Sequence, residues 1–140
     1  MNGVIVTAHG RFPEGLEDGL KLIAGEQENL VAVNFLQEDG TDGLDDKIKK
    51  ALEDLKDCDS IVILTDLAGG TPFNRSVLLT AQMENVRVLA GANFQMLYTA
   101  VFDGSKDLDK LVENILAEGK NGVRVYREEK RTEDEDSDGI

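Results

Sequence analysis

Four short apolar runs, residues 4–7, 30–35, 61–65 and 86–90, are separated by stretches whose apolar residues recur at helical spacing. This alternation constrains the fold more than any other feature. The runs are rich in Val and Ile and nearly continuous in apolar residues, as strands covered on both sides must be. Between them, Leu16, Leu20, Ile23 and Ala24 mark one helix, with Pro13 in its first turn and Gly25 as its stop. A polar loop is expected over 37–43. Leu44, Ile48, Ala51, Leu52 and Leu55 then trace a second helix, with Lys47, Lys49 and Lys50 on a solvated face. A third helix is expected over 73–83, and another follows Gly91-Ala92-Asn93. A last helix carries Leu108, Leu111, Val112, Ile115 and Leu116 and ends at Gly119. The expectation is an α/β fold: a doubly wound, mostly parallel sheet of four strands with helices on both faces. Residues 123–126 alternate instead, as a final edge or partner-facing strand would.

A chain of 140 residues has room for one ordinary domain, expected over 1–127. The acidic run at 133–138 lacks any apolar anchor, so 128–140 are expected to form a disordered tail. Lys and Arg number 15 against 28 Asp and Glu, a formal charge of -13. That sign argues against nucleic-acid partners and against a polybasic membrane surface. No apolar run approaches the roughly 20 residues needed to span a bilayer, and the first residues lack the basic region of a signal peptide. A cytoplasmic location is expected. Cys58 is the only cysteine, so no internal disulfide can form, and it reads as a reduced structural thiol.

In open α/β sheets ligands bind beyond the carboxyl ends of the strands. Three such ends carry polar residues: Thr7 to Arg11, Asp66 to Asn74, and Gly91 to Asn93. His9 is the only histidine. A lone histidine is more often structural than catalytic, but this one stands in the row of loops where sites form. Asp66 stands at the matching end of the third run. On a neighbouring strand its carboxylate could accept a hydrogen bond from the Nδ1–H of His9, fix the tautomer and leave Nε2 as a nucleophile. Asp66 could equally cap the turn that follows it, and both uses can coexist. Gly69-Gly70-Thr71-Pro72 supplies a tight turn, with Thr71 expected as N-cap and Pro72 as the first helical residue. The amides near Phe73 and Asn74 would then attract an anion. A nucleophilic imidazole, an orienting carboxylate and an anion-friendly helix start together suggest a histidine that carries a phosphoryl group. No P-loop and no G-x-S-x-G elbow occurs, and one histidine among scattered acids makes no transition-metal site, so neither cofactor nor metal is expected.

Three segments, VIVTAHGRFPEGL, ILTDLAGGTPFNRS and VLAGANFQML, occur in order. Together they resemble the enzyme IIA domain of the mannose-type sugar phosphotransferase system, over about residues 3 to 127. The resemblance implies phosphorylation of His9 through Nε2, with Asp66 as the carboxylate partner that accepts from Nδ1. It also implies that Gly70, Thr71 and Asn74 lie beside the phosphoryl group. The donor it implies is the histidine-containing phosphocarrier protein, and the acceptor a histidine of enzyme IIB. The resemblance further implies that membrane sugar permease components take part indirectly. A homodimer is implied too, with residues 123–126 exchanged between subunits. The chain departs from the family pattern at Ala68, where Trp is common, and at Gln95, where Pro is common.

Three other readings fit part of the pattern. A phosphocarrier subunit of a dihydroxyacetone kinase is the nearest, but the His-Gly-Arg-Phe turn favours the sugar-transport branch. A response-regulator receiver would need acidic residues where Thr7, Ala8 and His9 stand. A Thr71–His9–Asp66 hydrolase lacks the elbow.

Overall fold

The structure, a computed structural model, describes residues 1–128. The elements run β1 (Asn2–His9), α1 (Phe12–Ala24), β2 (Leu30–Phe35), α2 (Gly40–Asp54), β3 (Ser60–Thr65), α3 (Thr71–Leu79), β4 (Val86–Leu89), α4 (Phe94–Phe102) and α5 (Leu108–Asn121). The four strands form one parallel sheet in the order β2-β1-β3-β4. This is the expected α/β sheet, with helices on both faces.

The two faces follow from strand alternation. Val4, Val6, Val62 and Leu64 point to one side and pack with Leu20 of α1, Met96, Leu97 and Ala100 of α4, and Leu111 and Ile115 of α5. Ile5, Val33, Ile61 and Ile63 point to the other and meet Leu44, Ile48 and Ala51 of α2, with Leu79 of α3 beside them. Burying one such aliphatic side chain is worth about 1.5–3 kcal/mol, so each face holds its helices mainly by apolar contact.

The chain passes from β1 outward to β2, then returns across β1 to β3. The direction of winding therefore reverses between β1 and β3. Their carboxyl ends lie side by side, with Thr7 paired to Thr65. The loops leaving them diverge, α1 to one face and α3 to the other. Such a switch point opens a crevice for a ligand.

Several boundaries differ from the sequence expectation. Helix α2 starts at Gly40, inside the expected loop, because its first turn, Gly40 to Gly43, carries no apolar residue to reveal it. Helix α3 ends at Leu79 and not near Met83. The Thr80 hydroxyl and amide both bond to the Ser76 carbonyl, at 2.7 and 3.2 Å, and close the last turn. Helix α5 runs through Gly119 to Asn121. Gly119 is buried against α4, where a β-carbon would overlap Met96 Cγ, so this glycine serves close packing and not termination.

Residues 123–126 form no strand within the single chain. Val123, Val125 and Tyr126 are exposed, Tyr126 to 87%. Alternation alone does not make a strand: the segment pairs with neither β2 nor β4, the two sheet edges. The expected tail lies, but for Glu128, outside the described residues.

Candidate functional site

His9 is the last residue of β1. Its backbone stays in register with β2, opposite Phe35, and Gly10 closes the end by donating to the Phe35 carbonyl at 2.8 Å. Gly10 has φ +63°, a left-handed conformation that glycine adopts without strain, and it turns the chain toward α1. The imidazole therefore projects from a fixed strand end and is half exposed, at 49%.

Asp66 follows directly on β3. Its Oδ2 lies 2.8 Å from His9 Nδ1 and also accepts the His9 backbone N–H at 3.1 Å. Its Oδ1 is buried without a hydrogen-bond partner among the described residues. Burial pushes this carboxyl up, but the bonds from the His9 ring and amide outweigh it and hold Asp66 below the usual carboxylate range. Asp66 is thus ionised at neutral pH and can only accept. Nδ1 must carry the shared proton. In the neutral ring Nε2 then bears the lone pair.

Two neighbours wall the ring. Phe35 stands at 5.7 Å between ring centroids, tilted by 59°. Gly70 lies on another side: a β-carbon there would come within 3.2 Å of His9 Cε1, the atom between the two ring nitrogens. Cε1 is bonded to Nε2, so this glycine brings the α3 turn close beside the reactive nitrogen.

That turn differs from the expected one by a residue. Gly70, with extended backbone, is the N-cap of α3. Thr71 and Pro72 are the first two helical residues. No side chain caps the helix, and its first turn holds no acidic residue. Asn74 spends its backbone amide on the Gly70 carbonyl at 2.8 Å and its side chain on the Gly69 carbonyl at 3.0 Å. It braces the loop, and its amide is not the free donor that was expected. The amides of Thr71 and Phe73 have no partner among the described residues. They give the helix start its affinity for an anion, with a dipole contribution of about 0.3–2 kcal/mol.

The loop base is fixed from the other side. Gly91 and Ala92 donate to the carbonyls of Asp66 and Thr65 at 3.2 and 2.9 Å, tying the ends of β3 and β4 together. Gln95 packs beside Gly122 at the end of α5, and Ala68 sits in the loop with Leu67, which is 60% exposed.

The structure thus brings His9, Asp66 and Gly70 into contact and sets Thr71 and Asn74 in the same turn. Sequence reasoning gave Phe35 no role, although its place at the end of β2 was visible. It also missed the pair between Arg75 of α3 and Asp45 of α2, joined by two bonds of 2.8 and 2.7 Å.

The His9 ring stands half exposed at this corner. A cavity of about 630 Å³ exists, lined by Asn2, Asn29, Asp59, Phe102 and Ser105 among others, but it lies at the opposite edge of the sheet, where the strands begin. A half-exposed nucleophile at a strand end can reach a group presented by another macromolecule. Among the described residues no cluster of three or more His, Cys, Asp or Glu could hold a metal ion, and no helix is long and apolar enough to cross a membrane.

Known proteins resemble this chain over most of its described length. The family EIIA-man, described as PTS system fructose IIA component, matches residues 3–116. The fructose-specific EIIA component of the PTS system of Bacillus subtilis is 35% identical over 97 residues, covering 69% of this chain and 66% of the relative. The mannose-specific EIIAB component of Escherichia coli K12 is 28% identical over 126 residues, covering 89% of this chain. This chain spans only 39% of that relative's length. Among solved structures, the mannose/sorbose-specific IIA subunit from Enterococcus faecalis superposes with a TM-score of 0.84 at 27% identity, covering 94% of this chain and 98% of that one.

Proposed function

This chain belongs to the mannose- and fructose-type EIIA family of the sugar phosphotransferase system, and from that membership and the β1–β3 corner we propose that it is a phosphohistidine carrier acting through His9. The observation that carries the reading is the 2.8 Å bond between His9 Nδ1 and Asp66. In the neutral ring it leaves the Nε2 lone pair beside a helix start whose first amides have no partner among the described residues.

The step is an in-line displacement at phosphorus. The Nε2 lone pair of His9 forms a new N–P bond while the donor's N–P bond breaks. The bonding electrons return to the donor imidazole. The His9 ring becomes cationic when phosphorylated, and the Asp66 carboxylate stabilises that charge through Nδ1. Thr71 and Phe73 amides receive phosphoryl oxygens, with Gly70 admitting them close to the ring. Asn74 keeps one side-chain N–H beyond the bond to Gly69 and can add it.

The donor is a histidine-containing phosphocarrier protein and the acceptor a histidine of enzyme IIB. Membrane permease components use the phosphoryl group downstream to drive sugar uptake. Residues 1–127 form the IIA domain, which works in the cytoplasm as a homodimer. The exposed apolar side chains of Val123, Val125 and Tyr126 support an exchange of this segment between two copies. The conjoined name of the Escherichia coli relative, EIIAB, supports the assignment of a IIB acceptor.

The test is incubation of the full chain with the phosphocarrier protein, enzyme I and phosphoenolpyruvate, followed by mapping of the modified residue. One acid-labile phosphoryl group on His9, lost in His9→Ala, is expected. Modification elsewhere, or none, overturns the assignment.

A further inference from the structure

The free amides of α3 serve the proposed reaction only if the first turn of that helix is held in place against the sheet. Apolar packing seats the helix, but its own side-chain hydrogen bonds do not fix the first turn. No side chain caps it, Ser76 bonds within the helix to Pro72, and Asn74 bonds within the preceding loop. Among the described residues, one side-chain hydrogen-bonded link joins α3 to another element. Arg75, the fifth residue of the helix, sets its guanidinium on Asp45 of α2, with Nε to Oδ1 at 2.8 Å and a terminal nitrogen to Oδ2 at 2.7 Å.

This link is two-pronged and mostly sheltered. The Asp45 side chain is 12% exposed and that of Arg75 30%. Two parallel bonds fix orientation as well as distance, which a single ammonium could not do. Helix α2 is itself anchored by Leu44, Ile48 and Ala51, so Asp45 is a rigid partner. Arg75 lies next to Asn74 and one residue beyond the turn that carries the Thr71 and Phe73 amides.

We infer that Arg75 and Asp45 are positioning residues for phosphoryl transfer, clamping α3 so that its first amides stay aimed beside His9 Nε2. The inference rests on the phosphocarrier reading above. It assigns Arg75 a geometric role and not that of an electrostatic ligand, because its charge is already matched by Asp45.

The two roles separate by experiment. Initial rates of phosphoryl acceptance from the phosphocarrier protein are measured over a range of donor concentrations at 25 °C. The variants are Arg75→Gln, Asp45→Asn and the reversed pair Arg75→Asp with Asp45→Arg. Each is first shown to be folded by its thermal transition. A clamp predicts that both single variants lose about tenfold or more in maximal rate, since small misplacements are costly. KM stays within twofold, and the reversed pair recovers at least half of the loss. If either single variant fails to fold, Arg75→Lys and Asp45→Glu replace them; each keeps the charges but breaks the fork, and a severalfold loss of maximal rate is expected. Unchanged maximal rates in folded variants overturn the inference, even if their melting temperatures fall. So does a faster Asp45→Asn variant, which would mean that an unpaired Arg75 acts on the phosphoryl group by charge. An unsubstituted chain that accepts no phosphoryl group would overturn the phosphocarrier reading itself, a failure distinct from that of the clamp.

Discussion

Replacing Asp66 by Asn tests the orientation of the nucleophile with little change of shape. In the structure Asp66 accepts from the His9 ring at 2.8 Å and from the His9 amide at 3.1 Å, and its side chain is only 23% exposed. A hydrogen bond to a charged group of this kind is worth about 1.5–3 kcal/mol. Asn can still accept the backbone N–H, but it supplies no negative charge against the ring. The preference for a proton on Nδ1 weakens, and the cationic phosphorylated ring loses its counter-charge. If most of the bond's worth is felt in the transition state, phosphoryl acceptance slows roughly 10- to 100-fold, at 1.36 kcal/mol per decade. The assay is the initial rate at saturating donor, with ¹⁵N NMR of the imidazole to read the tautomer. The parent should hold its proton on Nδ1 and the variant should populate both tautomers. A rate within twofold of the parent, with the tautomer unchanged, would refute the orienting role.

Gly70→Ala should reduce the rate while leaving the fold close to its parent's stability. The backbone there suits any residue, yet the added methyl would press at 3.2 Å on His9 Cε1; an unaltered rate would show that this approach is unimportant. Gly119→Ala should do the reverse. Its β-carbon meets Met96 in the α4–α5 contact, costing about 1–3 kcal/mol of stability, read as a lower melting temperature with normal phosphoryl acceptance at 25 °C. Acid should destabilise the fold. Arg75 lowers the Asp45 carboxyl and Ser105 lowers that of Asp103, while at Asp66 burial is outweighed by His9, so all three titrate below the ordinary value of 3.8. Their stabilisation is complete above that value and is lost as pH falls through the lower folded values, so the melting temperature should drop steeply below about pH 4. A flat profile between pH 6 and pH 2 would contradict this.

The strands were legible because both faces of the sheet are covered, which forces continuous apolar runs such as 61–65. The helices were legible from their apolar stripes, and their ends were not. The first turn of α2 has no apolar residue, and the stop of α3 depends on the Thr80 hydroxyl, a bond that no periodicity records. Gly119 looked like a terminator because glycine has two uses, and only the neighbouring helix decides between them. At the site, His9 and Asp66 could be paired on paper once their strands were taken as neighbours. The fork between Arg75 and Asp45 could not, since its partners are 30 residues apart and many charges lie equally near in sequence. Residues 123–126 alternate, yet among the described residues they pair with neither edge of the sheet.

The position of phosphate on the imidazole tests the central claim most directly. The chain, phosphorylated by its donor, is examined by ³¹P and ¹⁵N NMR with His9 assigned. The geometry predicts a single phosphoryl group on His9 Nε2, with the proton on Nδ1 retained toward Asp66. Phosphate on Nδ1, or on any residue other than His9, would contradict the account.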